Sequence, residues 1–84
     1  MTNPPRYYVT VVFESGNALT EDARIWTEAQ QVKRKLQRMA EAVSLKIEDT
    51  LQDLEHRYTF EADRWDKVYT GPRTLTDPLP EQES

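Results

Sequence analysis

The apolar spacing between Leu19 and Ala42 constrains this chain more than any other feature. Ile25, Ala29, Val32, Leu36, Met39 and Val43 recur at alternating intervals of four and three. At about 100° per residue they form one stripe along a helix, flanked by Trp26 and Ala40. Arg24, Thr27, Gln31, Arg34 and Arg38 fall on the opposite face, with Lys35 beside them. Neither glycine nor proline interrupts the chain from Ala18 to Thr70. Thr20 has the chemistry of an N-cap, and Glu21 and Asp22 would sit favourably in the first turn. Ala23 stands where a full capping box needs Glu or Gln. A helix over this span would be roughly 33 Å long. It cannot bury its stripe alone, so the flanking segments must supply the covering surface.

Those segments read as strands. Arg6–Glu14 is dense in Tyr, Val, Thr and Phe. Its alternation turns Tyr7, Val9, Val11 and Phe13 toward the helix and Tyr8, Thr10, Val12 and Glu14 away from it. Ser15, Gly16 and Asn17 are expected to release this strand into the helix. Val43–Asp49 alternates with a period of two and predicts a second strand, although Val43, Ile47, Leu51 and Leu54 also continue the helical stripe to about His56. Thr50–Leu54 reads as a connection or a short helix. Arg57–Glu61 and Trp65–Thr70 read as a hairpin around Ala62, Asp63 and Arg64. A helix from Leu51 to Trp65 is the competing pattern, and the run Tyr58–Thr59–Phe60 favours the hairpin. The expected architecture is therefore α+β: a two-layer sandwich in β-α-β-β-β order, one long helix on a small, mainly antiparallel sheet. Residues 1–71 would form the single domain. Residues 72–84 are Pro-rich and acidic and are expected to be disordered or extended.

A chain of 84 residues forms one domain, and one of this size buries only about two-thirds of its unfolded surface. Its core is marginal without close packing or a partner. The sequence holds no cysteine, which removes disulfides, thiolate metal sites and a cysteine nucleophile. Neither a signal peptide nor a run long enough to span a bilayer is evident, so a cytoplasmic location is expected. The net charge of −4 is unevenly spread. Residues 20–42 carry a net +1, residues 43–70 a net −3 and residues 71–84 a net −2. The basic concentration lies on the helix, and the acidity lies after it.

Chemistry is tested by the same inventory. His56 is the only histidine, and none of Ser15, Ser44 or Ser84 stands in a nucleophile-elbow context. The carboxylates from Glu48 to Asp66 include no Gly-containing calcium loop. Gly16 and Gly71 are the only glycines, so no phosphate loop exists. No enzyme, no cofactor and no metal are expected.

Recognition is the remaining class. Arg34 and Arg38, within the Lys33–Arg38 cluster, could meet phosphates or an acidic protein, although a solvated face whose charges support the helix is the favoured reading over phosphate binding. Tyr8 and Val12, with Trp65 or Val68, would make an apolar patch on the sheet face away from the helix. Asp49, Asp53 and Glu55 could present an acidic face that stands in for nucleic acid. The reading is a small non-catalytic protein–protein interaction module: an adaptor, inhibitor or accessory subunit. Its partner would be a protein, a nucleic-acid-binding protein or enzyme among the candidates. The alternatives are a nucleic-acid binder using the basic helix face and a structural homodimer.

Overall fold

The aromatic and β-branched run Tyr7–Phe13 forms strand β1, as its composition predicts. The computed structural model describes residues 5–73. Strand β2 follows at Ala18–Ala23, helix α1 at Trp26–Gln37, then β3 at Ala42–Asp49, β4 at Leu54–Glu61 and β5 at Arg64–Pro72. All five strands belong to one antiparallel sheet in the order β2-β1-β3-β4-β5. One helix packs on it, chiefly on β1, β2 and β3, so the fold is α+β. No helix among the described residues is long and apolar enough to cross a membrane.

The element order departs from the sequence expectation at β2, giving β-β-α-β-β-β. The segment expected to open the helix instead pairs with β1, with Val12 opposite Ala18 and Tyr7 opposite Ala23. Gly16, at φ 95°, takes the left-handed conformation this turn needs. Phe13 and Asn17 close it with a 2.8 Å backbone hydrogen bond. Ala, Leu and Glu favour helices, but the preference is worth only tenths of a kcal/mol per residue. A ladder that satisfies one edge of β1 outweighs it. Thr20 is therefore a strand residue whose hydroxyl meets that of Thr10 at 2.9 Å.

The helix is 12 residues long, or roughly 18 Å. Ile25 is its N-cap without a side-chain cap, and Glu28 instead accepts a 3.0 Å hydrogen bond from the Arg24 amide. After Gln37 the chain tightens and turns at Glu41, whose φ is 69°. Val43 is thus a strand residue, and neither the continuation to His56 nor a helix over 51–65 forms. The stripe is used unevenly. Ala29 and Leu36 are fully buried, Val32 is partly buried, and Ile25 is 57% exposed.

The core lies between the helix and the sheet: Tyr7, Val9 and Val11 from β1, Leu45 and Ile47 from β3, Tyr58 from β4, with Ala23, Ala29, Leu36 and Ala42. The β1 face predicted to meet the helix is the buried one. The β4–β5 hairpin turns on two residues, Ala62 and Asp63, both left-handed at φ 53° and 63°. The tail expected from residue 72 lies outside the described residues except for Pro72, the last residue of β5, and Arg73.

Candidate interaction surface

Because α1 packs chiefly on β1, β2 and β3 and reaches β4 only at His56 and Tyr58, the turn end of the β4–β5 hairpin projects beyond it on the helix side as a shelf. Two successive cross-strand pairs furnish that face, Tyr58 with Lys67 and Phe60 with Trp65. The Phe60 and Trp65 rings sit 5.4 Å apart, centroid to centroid. With Met39, Ala42 and Val43 they line an open notch of about 350 Å³, bordered by Glu14, Gln37 and Glu41. Phe60 and Met39 remain 39% and 40% exposed. These are large apolar side chains left in water around a partly buried Trp, with carboxylates at the rim.

The other end of the shelf is cationic. Lys33 of α1 places Nζ 4.7 Å from the centre of the Tyr58 ring, and Lys67 of β5 places its own 5.8 Å away. Burial, then the neighbouring charges of Arg34 and Lys67, lowers the Lys33 pKa from its ordinary value. Burial raises that of the Tyr58 hydroxyl, against a smaller opposing effect of its hydrogen bond with Gln30. His56 lies on the same face, its ring 5.2 Å from that of Trp26 and its Nδ1 3.2 Å from Thr70 Oγ1. Burial and the charge of Lys67 lower its pKa, against a smaller opposing effect of Asp49. Ser44 pairs with Thr59 on the other side of the sheet, so it does not face this imidazole.

The residues singled out by sequence do not converge. Arg34 and Arg38 lie exposed on and just beyond the C-terminal half of α1. Tyr8 and Val12 are half-buried on the face away from the helix. Val12 lines a groove there of about 410 Å³ with Thr10, Ser44, Lys46, Arg57, Thr59 and Val68. Val68, not Trp65, is the β5 residue that joins Val12, because Trp65 is opposite Phe60 on the helix side.

The three carboxylates are divided by burial. Asp49 is a buried turn anchor that accepts hydrogen bonds from Arg6 Nε and Nη2, each at 3.2 Å, and from the amides of Leu51 and Gln52 at 3.0 and 3.1 Å. Burial alone would raise its pKa, but Arg6 and these two amides outweigh burial and lower it. Glu55 is 0% exposed and paired with Arg57. Asp53 alone of the three is exposed, 3.6 Å from Arg73. Asp49 and Glu55 are interior residues of this fold and present no acidic face to solvent.

Sequence reasoning missed Lys67, Phe60 and Met39 as neighbours on one shelf. The signal was present for one pair: Phe60 and Trp65 stand at equal distances from a two-residue turn and must oppose each other. Among the described residues, no group of three or more His, Asp or Glu side chains is arranged to hold a metal ion. No family model, curated protein or solved structure matches this chain.

Proposed function

We propose that the protein is a non-catalytic interaction module, an adaptor, inhibitor or accessory subunit that acts by occupying a partner protein's surface. The observation that carries this reading is the notch of Met39, Phe60 and Trp65, exposed at the end of the shelf that the helix leaves uncovered. Aromatic and Met side chains around a partly desolvated centre are the residue types that concentrate binding energy at protein interfaces. The architecture supports it: the helix packs chiefly on β1, β2 and β3 and leaves the turn end of the β4–β5 hairpin beside it. A cytoplasmic location accords with a chain that has no cysteine.

The test is affinity capture from native lysate with the wild-type chain and with a Met39→Asp/Phe60→Asp variant, each with and without nuclease. A stoichiometric protein that survives nuclease and is lost from a variant with unchanged melting temperature is the expected result. Equal capture by both chains would refute the notch as the contact surface. Retention that disappears with nuclease would favour nucleic acid on the Arg34 and Arg38 face. Concentration-dependent light scattering with no captured protein would favour a homodimer.

A further inference from the structure

The cationic end of the shelf indicates what kind of segment the notch receives. Most cations of this chain sit on carboxylates: Arg6 on Asp49, Lys35 on Glu21, Lys46 on Glu48, Arg57 on Glu55, Arg64 on Asp66, and Arg73 on Glu48 and Asp53. Arg24, Lys33, Arg34, Arg38 and Lys67 have no carboxylate within 4.0 Å among the described residues. Two of these, Lys33 and Lys67, nevertheless meet at one place, both ammonium groups within 6 Å of the Tyr58 ring centre. The ring face attracts them, but it carries no net charge to offset their mutual repulsion. In a chain of net charge −4, such a gathering is an electrostatic cost that an external anion would relieve.

The next pair along the hairpin is Phe60 with Trp65, about 7 Å away on the same face. An extended peptide repeats its side chains on one face at that same spacing. Resting on the interaction-module reading, we propose that the shelf binds an extended acidic–apolar segment of the partner protein. A large apolar side chain enters the notch between Met39, Phe60 and Trp65. A carboxylate two residues away meets Lys33 and Lys67. Glu14 and Glu41 border the notch and repel a second anion there. A polyphosphate backbone, charged at every unit, therefore fits this surface less well than a peptide with one acidic position.

An amide NMR titration of the full chain tests this with three probes: a Ser-rich peptide carrying one Leu-Ser-Asp step, the same peptide with Leu-Ser-Lys, and a single-stranded oligonucleotide. The acidic peptide should perturb the amides of Tyr58, Phe60, Trp65 and Lys67. Its affinity should fall about tenfold in Lys33→Gln/Lys67→Gln and be kept in Lys33→Arg/Lys67→Arg. The basic peptide should bind about tenfold more weakly than the acidic one. No perturbation at this face, an unchanged affinity in the Gln variant, or tighter binding of the oligonucleotide there would overturn the proposal. Should the captured partner be lost with Met39→Asp/Phe60→Asp yet kept by Lys33→Gln/Lys67→Gln, the acidic-segment inference fails and the interaction reading stands.

Discussion

Truncating Leu36 to Ala separates this fold from a uniformly packed helical stripe. Leu36 is 0% exposed and, with Leu45 and Ile47, is among the largest fully buried side chains. It comes from a helix whose only other buried residue is Ala29. Leu→Ala removes buried methyl groups and leaves a cavity, at a typical cost of about 3 kcal/mol. A domain of this length has about 4–12 kcal/mol of total stability, so the loss is a large share. At about 4–8 °C per kcal/mol for small domains, the melting temperature should fall by roughly 12–24 °C. Ile25 and Met39 stand on the same sequence stripe but are 57% and 40% exposed. Ile25→Ala and Met39→Ala should each cost at most about 1 kcal/mol, in proportion to the apolar area they bury. Urea unfolding followed by circular dichroism and by tryptophan fluorescence measures all three. Equal costs at Leu36 and Ile25, or a Leu36→Ala loss below about 1 kcal/mol, would refute this packing.

Two further predictions follow from the turns. Arg6 and the Leu51 and Gln52 amides lower the Asp49 pKa against burial. Its stabilising contribution is therefore complete above the unfolded carboxyl value of about 3.9 and is lost as pH falls through the lower folded value. Asp49→Asn should cost about 1–3 kcal/mol near neutral pH and flatten the acid limb of stability, measured by urea titrations at about pH 7 and about pH 3. An equally steep acid limb in the variant would assign that limb to other groups. Ala62 and Asp63 both hold positive φ in a two-residue hairpin turn, a geometry that favours Asn-Gly. Ala62→Asn with Asp63→Gly should stabilise the fold by about 1 kcal/mol, read as a higher melting temperature, and a lower one would exclude left-handed strain as the cost at this turn.

Much of the fold was legible because alternation and burial obey the same geometry. Tyr7, Val9 and Val11 alternate with Tyr8, Thr10 and Val12, and the pleat alone dictates that the two sets face opposite ways. The α+β class, strand β3 and the β4–β5 hairpin follow from the same rule. What the local pattern did not reveal was β2. Ala18–Ala23 carries helical propensities and adjoins a helical stripe, and only the need of β1 for a partner along its open edge turns it into a strand. Shortening the helix then leaves Ile25 exposed, although sequence places it on the same stripe as Leu36.

The candidate site was less legible for a related reason. Arg34, Arg38 and Trp65 could be picked by residue type, but type does not say which side chains converge. Lys33 and Lys67 are distant in sequence and meet at Tyr58 only because the helix crosses the sheet beside β4. Asp49 and Glu55 looked like surface carboxylates until pairing with Arg6 and Arg57 carried them inside. The sequence by itself determined the fold class, the inward face of β1 and the chemistries its missing cysteines and sparse glycines exclude. Tertiary structure alone decided which cations remain unneutralised and which aromatics stay exposed, because both depend on strand pairing and helix coverage across long sequence separations.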